Sequence, residues 1–259
     1  MGALWELTKL ELQELLDQIT REYRAVLGRK LCGLYLHGSA ALGGFHPGRS
    51  DLDFLAVVDR PPHICEKLRL LGFLCALSPQ GPKKGIEMSV VLASVCQRPV
   101  LDMPFELHYS PMWRGLCESD PLRLCITVGR TDPDLPTHFR VARERGKALF
   151  GPPPDEIFAP VPDGLYRESV YLDLRASREE LGGDAASVLL NLCRTLAFER
   201  EELLLSKAGG GEWALNNLGL RDPAPLRRAL DCCIGGLPME ADSACEQLCG
   251  ELMGLLGIE

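Results

Sequence analysis

Residues 34–58 read LYLHGSAALGGFHPGRSDLDFLAVV, and this stretch decides the fold. The apolar run Leu31–Leu36 stops just before Gly38-Ser39 and predicts a buried strand. A second apolar run, Asp51–Val58, predicts another strand, which begins with two aspartates. The residues between the two strands predict a short helix followed by a loop that contains glycine and proline. The pattern is therefore a strand, a Gly-Ser pair, a loop and a strand headed by carboxylates.

The two aspartates, Asp51 and Asp53, predict a cation site. Residues i and i+2 of a strand point to the same face, so both carboxylates point one way. Two neighbouring carboxylates repel each other, and a divalent cation relieves that repulsion. Mg²⁺ binds through one or two carboxylates together with substrate phosphates and water. The same spacing also occurs on solvated strand edges, so the pair alone leaves both explanations open.

Gly38-Ser39 and Glu87 extend this candidate site. Small residues after a strand let the backbone approach a ligand, with the following N–H groups directed at phosphate oxygens. Glu87 lies in the apolar run Ile86–Leu92, which predicts a third strand, and an unpaired carboxylate there would be costly. Each feature alone has an ordinary explanation as a turn or a surface residue. Their combination points to a site for phosphate and metal.

Composition excludes several classes of protein. The chain has 259 residues, of which 46% are hydrophobic and 25% charged, as in an ordinary globular protein and unlike a disordered one. Its net charge of −8 disfavours nucleic-acid binding and suits a small cationic substrate or one carried by a metal ion. The 11 cysteines form no CxxC pair and predict free thiols in a reducing compartment. No run approaches the roughly 18 apolar residues of a membrane span, so we expect a cytoplasmic protein.

The rest of the chain predicts an α/β N-terminal half and a helical C-terminal half. The proline-rich segment GPPPDEIFAPVPDG, residues 151–164, is the best candidate for a boundary. We therefore expect domains at 1–157 and 158–259. Apolar periodicity predicts helices over residues 5–27, 63–77, 113–128, 137–149, 165–181, 184–206, 212–218, 225–233 and 240–256.

Residues 34–58 resemble the GS…DxD signature of the polymerase-β-type nucleotidyltransferases. Four further segments resemble the streptomycin/spectinomycin adenylyltransferases, and the resemblance covers residues 30–250. It implies an α+β fold: an N-terminal nucleotidyltransferase domain with a small mixed β-sheet and flanking helices, then an all-α helical bundle. The four segments are PFELHYS (104–110), LFGPPPDEIFAPVP (149–162), DAASVLLNLCRTLAFE (184–199) and SKAGGGEWAL (206–215).

The resemblance implies a role for each matching residue on the nucleotide side. Asp51 and Asp53 would bind Mg²⁺, and Glu87 would be the general base that takes a proton from the acceptor hydroxyl. Arg194 and Lys207 have ordinary explanations too, as a charge on a helix surface and a cation at a helix C-terminus. The residues expected to contact the phosphates of ATP are Gly38, Ser39, Ser50, Arg194 and Lys207.

The resemblance also implies acceptor-binding residues. Asp184 matches an acid that faces the aminoglycoside, and Trp113 is expected to line the acceptor site. Streptomycin-modifying members carry a Trp and an Asp shortly before that acid, where this chain has Arg175 and Glu180. Glu180 can replace the Asp, whereas Arg175 does not replace an aromatic residue, so spectinomycin is favoured over streptomycin.

The expected function is a Mg²⁺-dependent O-adenylyltransferase that transfers AMP from ATP to a hydroxyl of an aminoglycoside or aminocyclitol antibiotic and releases pyrophosphate. We expect a monomer with a cationic small-molecule substrate and no nucleic-acid or membrane partner. Two alternatives remain open at this point. One is a nucleotidyltransferase with a protein or an unknown metabolite as acceptor, and the other is a non-enzymatic nucleotide-binding module.

Overall fold

A computed structural model describes residues 8–126 and 130–258, with only the backbone described for residues 176–178. The chain divides into two compact units. The first comprises the residues through Ala41 together with Phe45–Tyr166, and the second comprises Leu42–Gly44 and the residues from Arg167 onward. The expected α+β class is confirmed, with a small mixed sheet in the first unit and helices in the second.

The first unit is built on a five-stranded sheet with the order β5-β3-β2-β1-β7. Strands β2 and β3 are parallel, and every other neighbouring pair in this sheet is antiparallel. A separate two-stranded ladder joins β4 to β6. The strands are β1 Leu31–Leu36, β2 Leu52–Val58, β3 Ile86–Leu92, β4 Met103–Pro104, β5 Leu107–Tyr109, β6 Thr131–Asp132 and β7 Lys147–Phe150.

The helices of the first unit flank the sheet. They begin with α1 at Lys9, where Thr8 and Glu11 form a reciprocal capping box. The parallel pair β2–β3 is connected through α3, as a parallel pair requires a crossover. The helices are α1 Lys9–Leu27, α2 Gly38–Ala41, α3 Ile64–Leu77, α4 Ala93–Cys96, α5 Arg114–Ser119, α6 Pro121–Ile126, α7 Leu135–Arg145 and α8 Pro154–Ile157.

Both faces of β2 are buried, which explains its continuous apolar run. Phe54 and Ala56 belong to a core cluster with α1 and α3, whereas Leu55 and Val57 belong to a cluster with Phe139 of α7. Successive strand residues point to opposite faces, so a strand covered on both sides is apolar at every position.

The second unit is helical. Helix α9, Asp163–Glu201, is interrupted at Asp184, whose φ of −146° and ψ of 67° are not helical. The Asp184 carboxylate accepts a hydrogen bond of 3.1 Å from the Ser187 N–H, as an N-cap does. The remaining helices are α10 Lys207–Asn217, α11 Ala224–Gly235 and α12 Ser243–Leu256. In the part of the chain described, no helix is both long enough and apolar enough to cross a membrane.

Several of the predicted helices are wrong in extent. The helix expected over 184–206 ends at Glu201, and the one expected over 212–218 begins at Lys207. Residues 5–7 of the helix expected over 5–27 lie outside the described part. Residues 137–149 were expected to be one helix, but α7 ends at Arg145 and β7 follows. A Cβ at Gly146 would overlap the Ala142 carbonyl, and the chain leaves the helix there to pair with β1. The helix expected over 113–128 is divided at Asp120, which precedes Pro121, and residues 127–128 lie outside the described part.

Candidate functional site

Three carboxylates meet at the start of two parallel strands. Asp53 of β2 and Glu87 of β3 are register partners, and Asp51 lies just before β2. One carboxylate oxygen from each of the three residues lies within 4.8 Å of the other two, and all three residues are half-buried. This set of oxygen ligands fits a hard divalent cation such as Mg²⁺. The carboxylates that sequence spacing placed on one face are therefore brought together with the third.

The charge environment of Glu87 shows how crowded this site is. Burial raises the pKa of the Glu87 carboxyl, the nearby His138 lowers it, and Asp51 raises it again. Asp132 and Asp134 also act to raise it. The net pKa lies above the usual glutamate value because like charges and burial outweigh the histidine. A bound cation would favour the ionised form of this carboxyl.

The Gly38-Ser39 pair approaches the same aspartate. Gly38 has a φ of +60°, and a Cβ built on it would overlap the Asp53 carboxylate. Only glycine leaves this backbone position free of strain and of that overlap. The Ser39 hydroxyl is buried and has no hydrogen-bond partner among the residues that the structure describes. A buried hydroxyl without a partner is costly, and a phosphate oxygen would satisfy it.

Ser50 closes the loop that leads to Asp51. Its hydroxyl accepts a hydrogen bond of 3.0 Å from the His46 N–H, and its own N–H donates to the His46 carbonyl at 2.8 Å. These bonds give Ser50 a loop-forming role. Its contact with phosphate stays a prediction.

Several groups near Glu87 were missed by sequence reasoning. Asp132 belongs to the short strand β6, Asp134 stands just before α7, and His138 lies in the first turns of that helix. The ring of His138 packs on the ring of His37 with centroids 4.9 Å apart. The only signal in the sequence is the segment TDPDLPTH, 131–138, which places two acids between the helices predicted over 113–128 and 137–149 and a histidine at the start of the second.

In the helical unit, Lys207 and Arg194 have defined local surroundings. The Lys207 ammonium donates a hydrogen bond of 3.0 Å to the Ser187 hydroxyl. Lys207 is the first residue of α10, so the alternative of a cation at a helix C-terminus is wrong. Arg194 is half-buried on α9, and a Cβ at Gly210 would lie 2.6 Å from its Cα. The glycines of SKAGGGEWAL thus permit close packing of α10 on α9.

The expected acceptor residues are less closely defined. Asp184 caps the second half of α9, and Glu180 is exposed on the first half. In the first unit, Trp113 packs against the core cluster that contains α1 and α3, and the Arg130 guanidinium lies 5.8 Å from its ring centroid. These positions give each residue a structural setting, and their acceptor roles stay predictions.

Comparison with known families and proteins agrees with this arrangement. The family model for a nucleotidyltransferase domain matches residues 16–105, and the model for the C-terminal domain of aminoglycoside adenylyltransferase matches residues 156–250. Spectinomycin 9-adenylyltransferase of Staphylococcus aureus is 27% identical over 243 residues, covering 92% of this chain and 90% of that protein. Aminoglycoside (3'') (9) adenylyltransferase of Escherichia coli is 26% identical over 190 residues, covering 73% and 72%.

One solved structure shares the fold over nearly the whole chain. Spectinomycin adenyltransferase from Enterococcus faecialis, crystallised with ATP and spectinomycin, aligns with a TM-score of 0.79 and 20% identity. The alignment covers 95% of this chain and 99% of that one.

Proposed function

Because the chain belongs to the aminoglycoside adenylyltransferase family of nucleotidyltransferases, we propose that it transfers AMP from Mg-ATP to a hydroxyl of spectinomycin or a related aminocyclitol, with release of pyrophosphate. The observation that carries the proposal is the convergence of the Asp51, Asp53 and Glu87 carboxylates within 4.8 Å. Gly38 approaches this cluster closely enough that no larger residue fits.

The donor side of the reaction uses the residues at the start of β2. Asp51 and Asp53 would hold Mg²⁺, which when bound stabilises negative charge on the attacking and leaving oxygens. The N–H groups that follow Gly38 would donate to the β- and γ-phosphates, as would the Ser39 hydroxyl, which has no partner among the described residues. Ser50, Arg194 and Lys207 are proposed as further phosphate contacts, with the two cations offsetting the charge of the leaving pyrophosphate.

The acceptor side requires a base and a cation-binding surface. Glu87 is proposed to accept the proton of the attacking hydroxyl, because it is the carboxylate of the cluster that lies on the neighbouring strand β3. Asp132 and Asp134 lie close enough to affect its ionisation, so several acids can attract a cationic acceptor here. Asp184, Glu180 and Trp113 are proposed to bind the acceptor, by resemblance alone.

Spectinomycin is the proposed acceptor for two independent reasons. Proteins that act on spectinomycin by name match over about nine tenths of this chain. Arg175 also stands where streptomycin-modifying relatives carry an aromatic residue. We further propose that the work is divided between a catalytic domain, 1–157, and a helical domain, 158–259, of a cytoplasmic monomer.

Pyrophosphate release tests the proposal. Purified protein with Mg-ATP should release pyrophosphate when spectinomycin is added, less with streptomycin, and little with a kanamycin-type drug or with no drug. Release that does not depend on any drug would move the acceptor to a protein or a metabolite. ATP binding without pyrophosphate release under any condition would favour a non-enzymatic nucleotide-binding module.

A further inference from the structure

His138 of α7 is in contact with the residue that precedes the Gly-Ser pair. Its ring lies against the His37 ring with centroids 4.9 Å apart and planes tilted by 39°. The two elements that carry these residues, α7 and the turn at α2, pack together. The nucleotide-binding turn is therefore supported from a helix that begins about 100 residues later in the chain.

His37 connects the Gly38-Ser39 turn to the strand that carries Asp53. Its N–H donates to the Asp53 carbonyl at 3.0 Å, and its carbonyl accepts from the Ala41 N–H at 3.4 Å. His37 is 3% exposed, so its ring is packed on all sides, and burial together with the neighbouring His138 lowers the pKa of its imidazole well below the usual value. A shift of His37 would move both the Gly38-Ser39 backbone and its spacing from Asp53.

We propose that His138 is a positioning residue for Mg-ATP: its ring holds His37, and through His37 the Gly38-Ser39 turn, in the geometry that binds the triphosphate. The inference rests on the proposed function only in naming the ligand. An aromatic contact of this kind changes an equilibrium by about 2- to 10-fold, which sets the size of the effect.

His138 could act instead through its charge. It lies near enough to Glu87 to lower the pKa of that carboxyl. A ring without charge separates the two mechanisms, because His138→Phe keeps the aromatic contact with His37 and removes any effect on Glu87. His138→Ala removes both. Arg145→Ala, an exposed position in the last turn of the same helix, is the matched control.

The test measures Mg-ATP affinity by calorimetry, and KM and kcat where turnover is found. We expect His138→Ala to weaken Mg-ATP binding about 5-fold, with KM for the acceptor and the melting temperature little changed. His138→Phe should bind Mg-ATP within about twofold of the native protein. Arg145→Ala should behave as native.

Two results would overturn the inference. Native affinity in His138→Ala would show that the ring does not position the turn. Loss of kcat in both His138→Ala and His138→Phe, with unchanged affinity, would assign the effect to charge near Glu87. The proposed function can fail separately. If the native protein binds Mg-ATP but transfers no AMP, the Mg-ATP affinities of the variants can still be compared with that of the native protein.

Two thiols of the first unit lie in contact, away from the carboxylate cluster in sequence. Cys75 of α3 and Cys117 of α5 have their sulfur atoms 2.7 Å apart. Cys117 is 4% exposed, whereas Cys75 is half-buried. Two helices of one compact unit thus hold the sulfurs in contact, and a bond between them needs little backbone movement.

We propose that Cys75 and Cys117 form a disulfide with a small disulfide, such as oxidised glutathione, as oxidant. The Cys75 thiolate attacks one glutathione sulfur and releases the first glutathione thiolate. The Cys117 thiolate then attacks the Cys75 sulfur and releases the second. The two protein thiols lose two protons and two electrons, and the oxidant becomes two glutathione thiols. Burial, together with the adjacent Cys75 thiol, raises the pKa of Cys117 to about 12, and the more accessible Cys75 is therefore the first to react.

Peptide mapping without reductant tests this pair. After oxidised glutathione and alkylation, the native protein should yield one peptide linked through Cys75 and Cys117, with a melting temperature raised by about 5–10 °C and restored by dithiothreitol. Cys75→Ser should lose the link, and Cys65→Ser, an exposed position on the same helix, should keep it. Glutathione adducts alone, a link from Cys117 to Cys125 or no link at all would overturn the proposal.

Discussion

Gly38 and Asp53 are so close that a Cβ at position 38 would occupy the space of the Asp53 carboxylate. The backbone that would bind phosphate therefore lies in direct contact with the carboxylate that would bind Mg²⁺. The φ of +60° at Gly38 adds a second reason why glycine is required there.

Gly38→Ala should abolish Mg-ATP binding without unfolding the protein, because the new methyl group displaces Asp53. Gly43→Ala is a matched control, since Gly43 also has a positive φ, of +71°, but a Cβ there meets nothing within 4 Å. Calorimetric titration with Mg-ATP should show native affinity for Gly43→Ala and none for Gly38→Ala. Equal losses in both variants would attribute the effect to backbone strain and not to Asp53.

Glu87→Gln should lower turnover by roughly 10²–10⁴ and leave Mg-ATP binding near normal, as expected for loss of a general base. The amide retains the size of the side chain but cannot accept the hydroxyl proton. Steady-state rates together with Mg-ATP affinity provide the check. A fully active variant would show that Glu87 is not the base.

Asp53→Asn should weaken the binding of metal and nucleotide together, because in the proposed site the aspartate would share its cation with the triphosphate. The activity should require a higher Mg²⁺ concentration, and added Mg²⁺ should restore part of it. Asp59→Asn, at the exposed position just after β2, is the control and should show the native dependence on Mg²⁺ concentration. Unchanged Mg²⁺ dependence in Asp53→Asn would remove this residue from the metal site.

Gly210→Ala should lower the melting temperature of the protein by several degrees, since a Cβ at Gly210 would lie 2.6 Å from backbone and side-chain atoms of Arg194. Gly209→Ala places its Cβ in ordinary contact, 3.4 Å from the nearest atom, and alanine favours the helix over glycine. The two neighbouring variants should therefore shift thermal unfolding in opposite directions. Equal effects would contradict the packing of α10 on α9.

Glu66→Gln should reduce stability at neutral pH but not in acid. Burial raises the pKa of the Glu66 carboxyl. Hydrogen bonds from the Lys30 ammonium, at 2.6 Å, and from the His63 N–H lower it by more than burial raises it, so the net pKa is below the usual glutamate value. A lowered folded-state pKa contributes stability above the unfolded pKa, and that stability is lost as pH falls through the folded value.

Melting temperatures as a function of pH measure this contribution. The native protein should exceed Glu66→Gln by about 2–4 °C at pH 7, and the gap should close below about pH 4. Glu118→Gln breaks an exposed ion pair with Arg114 and should show little gap at any pH. A gap that persists in acid would show that the Glu66 charge is not its cause.

The inner strands of the sheet and the shared face of Asp51 and Asp53 could be predicted because their signals are local. An apolar run such as Leu52–Val58 is long enough to identify a buried strand, and the i, i+2 spacing fixes which side chains share a face. The edge strands β5 and β7 could not be predicted this way. They have three and four residues, and their structure depends on pairing with β3 and β1.

The acids and the histidine around Glu87 could not be predicted from the sequence for a related reason. Asp132, Asp134 and His138 are more than 40 residues away in sequence and approach it only after α7 packs on the sheet. The spacing of residues in TDPDLPTH does not indicate that they will lie close to Glu87. Asp184 shows the reverse case, in which the sequence predicted a break between two helices and the structure has its non-helical residue there.

Mass spectrometry of spectinomycin incubated with the protein, ATP and Mg²⁺ tests the central claim most directly. We expect the drug to gain the mass of one adenylyl group, the product to be absent when Mg²⁺ is removed, and the product to form roughly 10²–10⁴ times more slowly when Glu87→Gln replaces the native protein. Unmodified spectinomycin, from a native protein shown to bind Mg-ATP, would contradict the central claim.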